Sequence, residues 1–154
     1  MVSELDPRLN DRMRDGKPLG TLDDYEPRYF MSNGSSGVDA LEDKAIAPHG
    51  KVGEPALIRL VNGGAASHAM HFHGNHLHVL CQDGRRLDLQ MLKDTIRLTG
   101  GETKDALLPF KPPPDAWPPT RSSSYPMHCH AEMTQTAGGG LYPHGMLAHW
   151  QLEE

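Results

Sequence analysis

Glycine and proline interrupt this chain about once every five residues, with 16 Gly and 13 Pro among 154. Proline removes a backbone donor and glycine adds backbone freedom, so neither suits the interior of a long helix. No ten-residue stretch keeps apolar residues at helical spacing. What lies between the breakers is short and alternating, as in a β fold rich in turns. The expected strands are Leu57 to Val61, read as mostly buried, Leu77 to Cys81 closed by the turn Gln82-Asp83-Gly84, Thr95 to Leu98, Asp105 to Leu108, Ser124 to His128 and Leu147 to Leu152. In the last of these, Ala148, Trp150 and Leu152 share one face and Leu147, His149 and Gln151 the other. Gly100-Gly101, Lys111 to Asp115 and Pro118-Pro119 keep the strands short. Strands at this spacing imply a sandwich or small barrel. A long loop, Ala131 to Tyr142, carries Gly138-Gly139-Gly140, and such a loop in a small domain marks function or motion.

Size and charge narrow the reading. A chain of 17.0 kDa is the common size of one domain. Residues 1 to about 25 are polar and charged and read as an extended lead-in or docking arm outside the core, with the folded domain at 26–154. Met1 to Leu19 lacks the apolar stretch of an export signal. Mean hydropathy is -0.56 and no apolar run approaches the roughly 20 residues of a bilayer span. With 15 basic against 20 acidic residues the net charge is -5. That balance argues against a nucleic-acid surface.

Histidine carries the chemistry. Nine of the 10 histidines fall in two clusters: His68, His71, His73, His76 and His78, then His128, His130, His144 and His149. Alternate residues of a strand point the same way, so His71 and His73 converge, as do His128 and His130. Cys129, between the last two, points to the opposite face. A strand so patterned can carry two metal centres back to back, joined by a few covalent bonds. Thiolate and imidazole with a nearby thioether select copper in an electron-transfer site, and imidazole-only ligation also suits copper, zinc less specifically. Two cysteines make no disulfide framework. A Cys81–Cys129 bridge would destroy such a site, and Cys81 reads as a small buried hydrophobe.

The chain resembles the C-terminal cupredoxin domain of the multicopper oxidases, the laccase-like family. His68-Ala-Met-His71-Phe-His73-Gly74 is similar to that family's H-x-x-H-x-H-G motif, and Met127-His128-Cys129-His130 to its H-C-H motif. Flanking segments match too: Arg28-Tyr29-Phe30 with Asn33-Gly34, Ile58 to Asn62, Lys93 to Ile96 and Gly101-Glu102-Thr103. The resemblance covers about residues 26 to 154. It implies a cupredoxin-like Greek-key β-sandwich or barrel in a single domain. It further implies that His71 binds a type 2 copper, that His73, His128 and His130 bind a type 3 pair, and that His68 and Cys129 bind a type 1 copper with Met146 as axial group. In the family, the type 1 copper takes electrons from a small reducing substrate and the three-copper cluster reduces O2 to water.

Two departures stand out. The second type 1 histidine of the family corresponds here to Thr134, so His144 or His149 would supply that imidazole, with His144 preferred because it adjoins Gly145-Met146; if neither reaches the metal, the type 1 centre is degraded or absent. The family's cluster uses eight histidines and these motifs supply four. The implied partner is an N-terminal cupredoxin domain, or a second subunit, bringing the rest. Relatives of this family are typically periplasmic or extracellular. Three other readings compete: a stand-alone electron-transfer cupredoxin using only His68, Cys129, His144 and Met146; a cupin-like metalloenzyme, which lacks its carboxylate between residues 74 and 82; and a truncated or divergent piece without oxidase activity.

Of the remaining candidates, Glu132 is expected to hydrogen-bond a ligand imidazole, as carboxylates beside metal sites commonly do. Met70 and Met133 are expected to fill core, Trp117 and Trp150 to be core or rim aromatics, His49 to be a loop residue, and His76 and His78 to be partly exposed. No nucleophile arrangement or phosphate-binding glycine loop is present, since Gly138 to Gly140 lacks the lysine and the strand-to-helix context.

Overall fold

The computed structural model describes residues 1–114, 116 and 122–153. Trp117 and Pro118-Pro119 lie outside them. Two sheets enclose the core. The first has five strands in the order β3 (His49–Lys51), β11 (Leu147–Glu153), β10 (Ser123–Cys129), β5 (His68–Phe72) and β8 (Thr95–Leu98). The second has four, in the order β4 (Ala56–Val61), β9 (Thr103–Leu108), β6 (Leu77–Gln82) and β7 (Arg85–Lys93). All pairings are antiparallel except β11 with β3. Met70, Phe72, Leu98, Cys129, Trp150 and Leu152 from the first sheet meet Leu60, Leu77, Val79, Ala106 and Leu108 from the second in one buried cluster. The architecture is the β-sandwich that the alternating segments implied, and it is cupredoxin-like, as the family resemblance implied.

Each expected strand forms, and β8 has the expected bounds. Trp150 and Ala148 are 0% and 1% exposed, on the core face read from alternation. Three strands go beyond the expectation. β3 makes His49 a strand residue, β7 runs through a segment with almost every side chain exposed, and β4 is less covered than expected. Leu57 and Val61 are exposed because β4 is an edge strand and their face carries no second layer. Periodicity identifies a face but not what covers it.

The N-terminal segment also departs from a lead-in outside the core. β1 (Val2–Leu5) pairs antiparallel with β2 (Tyr29–Ser32), and α1 (Pro7–Arg14) follows. Val2, Glu4 and Asp6 alternate inward and are buried. Asp6 caps α1 by accepting from the Arg8 amide, and Pro7 stands at the first helical position, where a missing N–H costs nothing. A second short helix, α2 (Gly37–Glu42), lies against β11. Among the described residues, no helix is long and apolar enough to cross a membrane.

Candidate metal centre

β5 and β10 build the site by register. His128 pairs with His71 and Cys129 with Met70, so each pair shares a face. On β5, His68, Met70 and Phe72 point into the core while His71 points out. Three residues along a strand reverse the face. The H-x-x-H spacing therefore sends His68 to the Cys129 side and His71 to the His128 side.

On the outer side the imidazoles gather. Ring centroids lie 4.7 Å apart for His71 and His73, 5.4 Å for His71 and His128, 5.3 Å for His71 and His130, and 5.6 Å for His128 and His130. His73 Nε2 and His128 Nε2 are 3.1 Å apart. Ligand atoms of His71, His73 and His128 all fall within 4.8 Å of one another, the one such trio among the described residues. Nitrogens bound at about 2.0 Å to one ion stand about 3.3 Å apart, so ligand atoms gathered this closely can hold one ion or neighbouring ions of a cluster. The far nitrogens are occupied: His71 Nδ1 lies 2.9 Å from Thr95 Oγ1 and 3.2 Å from the Asp94 carbonyl, and His128 Nδ1 lies 3.2 Å from the Cys129 carbonyl. Such partners fix ring orientation. Burial and the neighbouring imidazoles hold His73 below the ordinary histidine range. Burial and the rings of His71 and His130 do the same to His128, against the Cys129 carbonyl. Neutral imidazole is the form that ligates. His73 is held from below, since Trp150 Nε1 donates to its carbonyl at 2.8 Å.

On the inner side, Cys129 Sγ lies 3.7 Å from His68 Nδ1. Two donors about 2.0 and 2.3 Å from one ion at a trigonal angle are separated by about 3.7 Å, so this spacing also fits a shared metal. Burial pushes the thiol up, but His68, Thr134 and the amides of Ala69 and Ala131 outweigh it and draw the group toward thiolate. Met146 is fully buried, and its carbonyl accepts from the Cys129 amide at 3.2 Å. Its position depends on Gly145, where a Cβ would overlap the Thr134 carbonyl oxygen. Gly145 and Met146 in turn donate to Gln135 and Thr134 carbonyls at 3.0 and 2.7 Å.

The remaining candidates separate. Thr134 is buried and donates to the Ala131 carbonyl at 2.6 Å. His149 pairs with Pro126 on β11, which places it on the His128 side, away from the Cys129 sulfur. His144 is exposed, lines a cleft of about 330 Å³ with Tyr29, Val38 and Asp39, and is not gathered with His68 and Cys129. The Gly-rich loop is a 3-10 turn over Glu132–Gln135 and then a tight turn with positive φ at Gly138 and Gly139, where the Gly138 amide donates to the Arg28 carbonyl at 2.6 Å. Cys81 and Cys129 are both free. Met70 is core, but Met133 is 61% exposed, contrary to a core role. His76 and His78 are exposed.

Glu132 is exposed and bonds no imidazole. The carboxylate that does is Glu4, whose Oε2 lies 2.8 Å from His68 Nε2, both side chains fully buried. Its Oε1 accepts from the Ala65 and Ala66 amides at 2.6 and 2.8 Å and from the Tyr25 hydroxyl at 2.8 Å. Burial pushes Glu4 up; the donors from Ala66, His68, Tyr25 and Ala65 outweigh it and hold the group below the usual carboxylate range. Nothing in its sequence neighbourhood marks Glu4 except alternation with Val2.

The fold and its two histidine-bearing faces define a copper-domain architecture. The chain belongs to the multicopper oxidase family, whose model matches residues 16–142. It is similar over 99% of its length to a multicopper oxidase named mgLAC, at 25% identity and a TM-score of 0.75, covering 42% of that chain. It is also similar to the blue copper oxidase from Nitrosomonas europaea, at 23% identity and a TM-score of 0.65, over 83% of this chain and 35% of that one. McoA from the hyperthermophile Aquifex aeolicus shares the fold at 23% identity and a TM-score of 0.59, over 82% and 27%. The chain thus spans well under half the length of these oxidases. No curated protein matches it. Family membership makes the chain a multicopper oxidase-type copper domain.

Proposed function

We propose that this chain is the C-terminal copper domain of a multicopper oxidase and carries a type 1 copper site and half of a trinuclear site. The support is the opposed pair of faces on β10. Cys129 and His68 lie inward at a spacing that fits one metal, and His71, His73 and His128 are gathered outward, close enough to hold the neighbouring ions of a cluster. We assign His68, Cys129 and Met146 to the type 1 site, with His144 as the remaining imidazole. His144 stands two residues from Met146 on the loop over Cys129, whereas His149 faces the other way. His71 is assigned to type 2 copper, and His73, His128 and His130 to the type 3 pair.

When bound, copper would supply one-electron exchange with a small reducing substrate on one side and reduction of O2 to water on the other. The chain's own residues hold the donors in place. Cys129 links the inner site to His128 and His130 through covalent bonds alone. Thr95 and the Asp94 and Cys129 carbonyls orient two outer rings so that their free nitrogens face one another. His73 and His130 are exposed, which leaves the outer site open to the histidines of an N-terminal cupredoxin domain or a second subunit.

An oxygen electrode tests this reading on copper-loaded chain separated by size, with a phenol or ferrous ion as donor. Oxygen uptake is expected only in fractions where a partner domain or second copy is assembled, and His128→Ala should abolish it. Uptake by monomer carrying His128→Ala would overturn the reading.

A further inference from the structure

We propose that Glu4, carried on the N-terminal strand, is a positioning residue for the copper held by His68 and Cys129. It fixes His68 with Nδ1 toward the cysteine sulfur and strengthens that nitrogen as a donor, favouring cupric over cuprous ion. The inference rests on the type 1 assignment of His68 and Cys129 above.

Geometry is the first argument. Glu4 Oε2 meets His68 Nε2 at 2.8 Å, and His68 Nδ1 meets Cys129 Sγ at 3.7 Å, so the carboxylate, ring and sulfur form one line of contacts. With its proton on Nε2, His68 donates to Glu4 and leaves Nδ1 bare on the cysteine side. A carboxylate behind a ligating imidazole sets its tautomer and raises its basicity.

The second argument is that the chain builds a cradle for this group. A buried carboxylate is costly unless fully hydrogen-bonded. The donors come from Tyr25 and from the turn after β4, where the Ala65 and Ala66 amides both point at Oε1. Asn62, 1% exposed, ties that turn: its Nδ2 donates to the Ala66 and Leu98 carbonyls at 2.7 and 3.3 Å, and its Oδ1 accepts from the Gly64 amide at 2.9 Å. A Cβ at Gly64 would overlap the Glu4 carboxylate. The Gly63 amide donates to the Val2 carbonyl at 2.8 Å, docking β1 on the same turn. If folding alone were at stake, an apolar residue at this inward position would serve without desolvating a charge. Among the described residues no other carboxylate bonds a clustered histidine.

The test uses the full chain with copper ion alone, comparing the parent with Glu4→Gln and Gly64→Ala. Gln keeps the shape and removes the charge; Gly64→Ala keeps the charge and displaces it. In both variants cupric affinity should fall about 10–100-fold, the usual range for losing such a partner. With cuprous affinity unchanged, each tenfold raises the one-electron potential by about 59 mV. The thiolate-to-copper band should persist at a shifted energy, which a purely structural role would not produce. In the metal-free parent, nitrogen NMR should place the His68 proton on Nε2, a readout that needs no variant to fold. A parent with that band, but with variants of equal affinity and potential or with the proton on Nδ1, overturns the role of Glu4 alone. A parent with no thiolate-to-copper band overturns the type 1 assignment and this inference with it.

Discussion

On one side of β10, Cys129 and His68 are 0% and 1% exposed among the largest core side chains. On the other, His73 and His130 stand in solvent beside half-buried His71 and His128. The same seven-residue strand thus separates a sealed face from an open one. On the sealed side Cys129 and His68 are held by the core and by the Glu4 cradle, all within this chain. On the open side the rings of His71 and His128 are oriented from behind, while His73 and His130 face outward. The contrast separates two kinds of preorganisation: burial fixes a ligand within a domain, and orientation alone prepares it for a second surface.

The sharpest way to break this contrast is to delete the sulfur. Cys129→Ala should abolish the thiolate-to-copper band entirely and leave imidazole-bound copper, while His71→Ala with His128→Ala should do the reverse, both read by visible and EPR spectra. If either variant lost both signals, the two faces would not be separate centres. Next in size is Trp150→Ala, which removes a fully buried ring stacked on Tyr125 at 4.8 Å together with the donor to the His73 carbonyl. It should cost about 3–5 kcal/mol in denaturant unfolding and loosen the outer imidazoles without removing the band. Gly145→Ala acts on the sealed side only. Its Cβ would press on the Thr134–Thr136 backbone, for a loss of about 1–3 kcal/mol and an altered band as Met146 shifts.

The smallest effect tests the N-terminal segment that carries Glu4. Arg8 holds Asp6 below the usual carboxylate range, against burial and with help from the Glu26 and Arg8 amides. A carboxyl depressed on folding stabilises above its unfolded pKa of about 3.9, and that contribution is lost as pH falls toward the folded value. Melting temperature should therefore decline more steeply below about pH 4 in the parent than in Asp6→Asn. Equal slopes would mean that Asp6 contributes nothing to the docking of this segment.

The fold was legible where period-two alternation met a covered face, as in β8 and β11, whose apolar sets match their buried sets. It was illegible where that link fails. β7 alternates against solvent on both sides, and β4 carries leucine and valine on an uncovered face. The N-terminal segment hides its inward positions because two of them, Glu4 and Asp6, are acids: Glu4 on β1 takes donors from Ala65 and Ala66 far along the chain, and Asp6 beyond it takes them from Arg8 and from distant Glu26. The site followed the same rule. Alternation alone places His71 with His73, and His128 with His130 opposite Cys129, so those pairs could be read directly, whereas joining the two pairs and setting His68 beside Cys129 rested on the family resemblance. The carboxylate behind His68 could not be read, because Glu4 reaches it across 64 residues. His144 sits in a loop, where no periodicity says which way a ring turns.

The claim that one strand separates two copper centres is tested most directly by counting copper on the loaded full chain while recording visible and EPR spectra. The account predicts one tightly held copper with an intense thiolate-to-copper band and additional copper bound by imidazole alone. Copper held only by imidazole, with no such band, would contradict it.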